Sequence, residues 1–318
     1  MARALERGIH RCCARRTVKR ALFLLALLAS LIGGVYFLFQ AIAAAAEDAF
    51  AVLLTPSAWV AVLVASVMFA ASYIPSARLW RVLLRWRGVE VTPSSALRLL
   101  LRTTPAKYLP GNVAQPMGRA AGLALTGSPL SATVATLLEE AALSLAAAVL
   151  LGLAAGCLVS MSYPIHLASA LPWALLASLV IAFVLLAGVA TREGLRHRVN
   201  AFTPVNTPFR IVGMGAGYSV VMLIIGVSMW VAVLPMAGVG LSDWTLVLSA
   251  FLLAWTLGSL VPGAPAGLGV RDAALVWMLT PHFAESAVVI ASIARLTTVL
   301  GDTLAFLAGL LMPDRRGA

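Results

Sequence analysis

Charge is scarce in this sequence. Only 11% of its 318 residues are Asp, Glu, Lys or Arg, against roughly 25% in a soluble globular domain. With 61% hydrophobic residues beside so little charge, a water-soluble fold and a disordered chain are both excluded. Cysteine is nearly missing as well. Cys12, Cys13 and Cys157 cannot build a disulfide framework. Cys12 and Cys13 adjoin an apolar run, where acylation is conceivable, but no lipidation signature accompanies them. The four histidines, His10, His166, His197 and His282, are scattered at span ends, and no His-Glu-x-x-His occurs. No carboxylate cluster is spaced to hold a metal. Gly213-Met214-Gly215-Ala216-Gly217 follows no strand, so it is not a dinucleotide loop. No enzyme, no cofactor and no ATP coupling within this chain is therefore expected.

What fills the chain instead is apolar helix. A mean hydropathy of +0.97 and runs at 21–46, 57–77, 129–158, 167–190, 209–236 and 285–311 predict an all-α polytopic bundle, each span needing about 20 residues. The first run follows basic residues and ends in Ala43-Ala44-Ala45, the outline of a secretory signal. Its length exceeds the ~7–15 apolar residues of such signals, so a retained span is the favoured reading. The net charge of +11 does not point to nucleic acid, because the cations flank the runs. They gather at Arg3–Arg20, Arg78–Arg87, Arg192–Arg210 and Arg315–Arg316, the positive-inside pattern. Both termini are expected in the cytoplasm, and the protein in the inner (plasma) membrane.

Two apolar stretches, 96–127 and 243–282, are each broken by Pro-Gly: Leu109-Pro110-Gly111-Asn112 and Val261-Pro262-Gly263-Ala264-Pro265. Proline removes a donor and clashes with the preceding turn. Irregular backbone survives at membrane depth only where protein or a water-filled cavity surrounds it. Both stretches therefore read as re-entrant hairpins, beside about six full spans. Pro110 and Pro262 are 152 residues apart, Arg119 and Arg271 each follow by nine, the span starts 57 and 209 share the offset, and 129/285 and 21/167 come near it. This spacing predicts an inverted repeat of the kind found in transporters. The expected organisation is a basic N-terminus (1–20), a first membrane repeat (21–160), a second, inverted repeat (161–312) and a cytoplasmic tail (313–318).

The residues around the breaks also resemble a known family. Tyr108-Leu109-Pro110-Gly111-Asn112-Val113-Ala114-Gln115-Pro116 with Gly118-Arg119, and Leu260-Val261-Pro262-Gly263-Ala264-Pro265-Ala266-Gly267-Leu268-Gly269-Val270-Arg271-Asp272, are similar to the two motifs of the flippase-like family, the transmembrane region of lysylphosphatidylglycerol synthases. The resemblance covers about residues 20–311. Family members usually carry Glu after the second arginine, where this chain has Asp272, and Glu-Arg in the helix after the first motif, where it has Glu139-Glu140. Arg295 also matches a family position. The resemblance implies translocation of an anionic lipid between leaflets, either a phospholipid or a polyprenyl-phosphate-linked glycan. It also admits a non-transporting membrane subunit that docks a lipid or glycan synthase. Aminoacyl transfer is not expected, since the sequence closes at Ala318 without the soluble catalytic domain of those synthases.

Ionisable residues inside apolar helices are functional candidates by default, because each costs ~2.5–3.5 kcal/mol to insert. Here they are Arg119, Glu139, Glu140, Arg271, Asp272, Arg295 and Asp302, three cations and four acids, close to neutral. Arg119, Arg271 and Arg295 are the candidate ligands for a lipid phosphate, since guanidinium presents two parallel donors and stays charged when desolvated. Glu139, Glu140, Asp272 and Asp302 are candidates for holding those arginines or carrying a proton. Pro110, Gly111, Asn112, Pro262 and Gly263 form the breaks, whose half-helix N-termini would add free N–H groups toward an anion. Gly152/Gly156 and Gly213/Gly217 predict close helix packing, and Trp59, Trp173, Trp244 and Trp277 predict interfacial anchors.

Overall fold

The computed structural model of the chain describes residues 55–109, 113–162, 208–236, 238–260, 265–267 and 269–313. The expected spans at 21–46 and 167–190 lie outside the described residues, as do Pro110, Gly111, Asn112, Pro262 and Gly263. Among the described residues every regular element is helical: α1 (Pro56–Ala71), α2 (Tyr73–Trp86), α3 (Pro93–Thr103), α4 (Ala114–Ala124), α5 (Leu130–Ser162), α6 (Pro208–Val233), α7 (Trp244–Leu260), α8 (Val270–Phe283) and α9 (Ser286–Leu311). Short 3-10 turns at Thr104–Tyr108, Leu241–Asp243 and Pro265–Gly267 connect some of them. Five stretches are long and apolar enough to cross a membrane: Pro56–Trp86, Leu130–Val159, Val212–Val233, Leu241–Leu260 and Ser286–Leu311. The chain is a helical membrane protein.

Local chemistry explains the helix ends. Thr92 caps α3 by accepting the Ser95 N–H at 3.2 Å, with Pro93 in the first turn where its missing N–H is harmless. Pro105 ends α3, since its ring nitrogen has no N–H to continue the helical ladder, and the 3-10 turn Thr104–Tyr108 follows. Pro75 similarly explains the joint at Ser72 between α1 and α2: a proline cannot supply the helical hydrogen bond to the preceding turn. The Ser72 hydroxyl donates to the Phe69 carbonyl at 2.6 Å there. Gly269 opens α8 with φ of 80°, a left-handed value that glycine adopts freely.

One expectation needs correction. The stretch 243–282, read as a re-entrant hairpin of two half-helices, opens with an arm long enough to cross a membrane. Its first arm, α7, has 17 residues, about 25 Å of helix, and with the preceding turn it counts among the five spanning segments. The corresponding arm α3 has only 11 residues, about 16 Å. The cause is composition: Trp244–Leu257 contains no Pro, Gly or charge, whereas α3 carries Arg98 and Arg102 and runs into Pro105.

α9 sits at the centre, packed against α1, α3, α6 and α8, while α5 packs against α6 and α7. Close approach is set by small residues. A Cβ on Gly301 would stand 2.7 Å from the Phe69 ring and 2.9 Å from the Ser66 carbonyl oxygen, and one on Gly152 would stand 3.1 Å from Leu253. A Cβ on Gly217 would meet Leu79 at 2.6 Å, but at Gly213 it meets open space, so only one of that glycine pair serves packing. Val60, Leu63, Val64 and Val67 of α1 and Leu138 and Leu150 of α5 are exposed, as lipid-facing residues are. Trp59, Trp244 and Trp277 are exposed too, and Trp173 lies outside the described residues.

Candidate functional site

The ionisable residues of the helices fall into two clusters that share no residue. The first lies where the two broken stretches meet, for the Thr104–Tyr108 turn touches the Pro265–Gly267 turn, and α9 runs beside the former. Asp302 of α9 accepts from the Tyr73 hydroxyl at 2.6 Å, from the Tyr108 hydroxyl at 2.5 Å and from Lys107 Nζ at 2.5 Å. Lys107 also donates to the Tyr73 oxygen at 3.2 Å and lies 5.5 Å from the centre of the Tyr108 ring. Tyr73 reaches the site from the α1–α2 joint at Ser72.

Two turns earlier on α9, Arg295 Nη2 donates to Asp272 Oδ2 at 2.7 Å, and its Nη1 reaches the Ala266 carbonyl at 3.4 Å. Ala266 holds φ of 48°, which costs a residue with a Cβ roughly 1–2 kcal/mol. Asp272 Oδ2 also accepts the Gly269 N–H at 3.3 Å, so the carboxylate caps α8 while it holds Arg295. Arg271 is placed differently. Its Nη2 donates to Thr298 Oγ1 at 3.2 Å, its Nε stays 3.8 Å from Asp272 Oδ1, and its guanidinium lies 5.8 Å from the Phe251 ring centre. Arg271, Asp272, Arg295 and Asp302 are all buried.

The second cluster joins α2, α4, α5 and α6. Arg119 Nη1 donates to Glu140 Oε2 at 2.7 Å, and its guanidinium lies 4.8 Å from the Trp80 ring centre. Glu139 is gripped by Arg87 through both Nε, at 3.2 Å, and Nη2. Tyr218 of α6 lies within electrostatic range of Glu139, Glu140 and Arg119. Arg119 and Glu140 thus form a pair of their own, and Arg119 has no partner in common with Arg271. Lys107 and Tyr108, not Arg119, are the residues through which the first broken stretch reaches the cluster at the second.

Sequence reasoning passed over Lys107, Tyr73, Tyr108 and Arg87. Lys107 and Tyr108 stand three and two residues before Pro110, so their nearness to the break was the available signal. Arg87 ends α2 among cations that read as cytoplasmic anchors, and nothing in its spacing marks it as the partner of Glu139. With Lys107 and Arg87 included, five cations face four acids. Elsewhere a cavity of about 470 Å³ is lined by Gly238, Gly240, Asp243 and His282, and it includes no member of either cluster. Comparison of the chain with protein-family models, with curated proteins and with solved structures finds no match.

Proposed function

We propose that the chain is a flippase-like protein of the inner membrane, built as an inverted repeat, that moves an anionic lipid between leaflets. The lipid phosphate binds between the two broken stretches, at Arg271 with Arg295 and Lys107. The observation that carries this reading is the group of three cations, Arg271 and Arg295 buried and Lys107 half-buried, with only two carboxylates at the contact of the two turns. A charge inside a membrane protein marks a substrate or ion pathway, and broken helices meeting at depth are where transporters hold their substrates. The order of elements favours the repeat as well. Pro56 and Pro208 open apolar spanning segments 152 residues apart, and after Trp86 and after Val233 alike come a helix, a 3-10 turn, a second helix and a long helix. The resemblance of the two Pro-Gly motifs to the flippase-like family points the same way.

The test is leaflet-resolved transport of fluorescent phosphatidylglycerol in proteoliposomes. The protein is expected to raise flux over protein-free vesicles, and Arg271→Gln to remove the gain while the protein still inserts. Equal flux with and without protein across several anionic lipids overturns the reading. A second reading, a subunit that docks a lipid or glycan synthase, draws on the tightness of the same junction. A Cβ on Gly258 would stand 3.2 Å from the Gly267 Cα and 2.9 Å from the Arg271 Cβ. Co-purification of a membrane synthase with a protein inactive in the flux assay would favour it.

A further inference from the structure

We infer that the site at the two turns carries one uncompensated positive charge, on Arg271, and selects a phosphodiester, which bears a single negative charge, over phosphomonoester and pyrophosphate groups. This rests on the reading of the ligand as an anionic lipid and adds the charge it must carry.

Among the described residues, the charged groups of the cluster are Lys107, Arg271 and Arg295 against Asp272 and Asp302. The break residues 110–112, 261–264 and 268 are Pro-Gly-Asn, Val-Pro-Gly-Ala and Leu, none of them charged. Among the described residues the surplus is therefore one positive charge.

Its location follows from the hydrogen bonds. Both oxygens of Asp302 are taken by Tyr73, Tyr108 and Lys107. Asp272 gives Oδ2 to Arg295 and Gly269, leaving Arg271 only the 3.8 Å approach to Oδ1. Arg271 is also the reachable cation of the two arginines, with 9% of its side chain exposed against 2% for Arg295. Arg295 Nε, of the cluster's other arginine, is buried and has no hydrogen-bond partner among the described residues. An anion of charge −1 neutralises the set. A second negative charge would be left unpaired in a low-dielectric surrounding, which disfavours it.

The inference is tested on the full chain purified in detergent. Binding of dioctanoyl-phosphatidylglycerol is compared with that of dioctanoyl-phosphatidic acid at pH 8.5, farnesyl diphosphate and glycerophosphoglycerol, the same diester without chains. Phosphatidylglycerol is expected to bind best, the two multiply charged lipids at least about tenfold more weakly. Arg271→Gln should abolish binding of all three lipids, and Arg271→Lys should preserve their order, which separates lost charge from lost fold. Asp272→Asn, and independently Asp302→Asn, raises the surplus to two and should shift preference toward farnesyl diphosphate. Farnesyl diphosphate binding the unaltered protein as tightly as phosphatidylglycerol would overturn the single-charge inference and leave lipid translocation standing. Glycerophosphoglycerol binding as tightly as the lipid would retain the charge but overturn a lipid as its source. No binding by any of the four would overturn both.

Discussion

Glu139 and Glu140 are neighbours in sequence, yet each answers a different arginine, Arg87 from the end of α2 and Arg119 from α4. Two cations meet two acids, so this cluster is balanced, unlike the one at the turns. Balance makes it a fastening. Removing one partner of a buried pair leaves the other charged and unsatisfied, typically at about 3–5 kcal/mol, whereas replacing both with apolar residues is often neutral. We therefore expect Glu140→Leu alone to destabilise the protein by roughly 3–5 kcal/mol, and Glu140→Leu with Arg119→Met to recover most of that loss. Denaturant unfolding in detergent measures both. A double variant no more stable than the single would show that Arg119 does more than neutralise Glu140. The same comparison shows what charge counting along a sequence misses. Arg87 and Lys107 stand near helix ends, where a cation costs little, so their service to buried acids is legible only once the helices are packed.

At the scale of the elements, α9 is the beam to which both broken stretches are tied. Arg102 of α3 donates to the Gly309 carbonyl at 2.8 Å and to that of Met312 at 3.0 Å, and Arg98 donates to Pro313. These donors satisfy carbonyls that a helix C-terminus leaves open. Asp302 ties down the Thr104–Tyr108 turn, and Arg295 ties down Asp272 and Ala266. Such fastening requires α9 to lie close to its neighbours, which Gly301 permits. A side chain there would meet the Ser66 carbonyl oxygen, and backbone cannot swing aside. Gly301→Leu should therefore destabilise by about 1–3 kcal/mol or more through overpacking. Gly213→Ala, where a Cβ meets open space, should be neutral or stabilise by up to ~1 kcal/mol through helix propensity. Thermal unfolding of the two variants checks the contrast. Sequence pattern located most of these helices, because an unbroken apolar run declares itself. It did not distinguish Gly213 from Gly217, since the four-residue spacing is the same whether a neighbour is present or not. Nor did it fix the unequal arms, α3 and α7, because the Pro-Gly break marks where a helix ends but not how far the preceding arm extends.

For the whole molecule, the hydrogen bonds fix which ends lie together. The bonds from Arg98 and Arg102 to the last carbonyls of α9 place the start of α3 and the end of α9 at one end of the bundle. Arg81 Nε donates to the Val91 carbonyl at 2.7 Å, which brings the end of α2 to the same place. That end collects Arg78, Arg81, Arg85, Arg87, Arg98 and Arg102. α9 runs from Ser286 to Leu311, so Glu285 stands at the opposite end. Asp243, in the turn between α6 and α7, lines one cavity with His282 and Phe283 at the end of α8, and it belongs with Glu285. Basic loops are retained in the cytoplasm, while Asp and Glu contribute little to orientation. The arginine-bearing end is therefore expected inside, together with the C-terminal end of α9. In a variant without its native cysteines, Asp243→Cys should react with an impermeant maleimide on intact cells. Arg85→Cys should react only after permeabilisation. Labelling of Arg85→Cys from outside would invert the molecule.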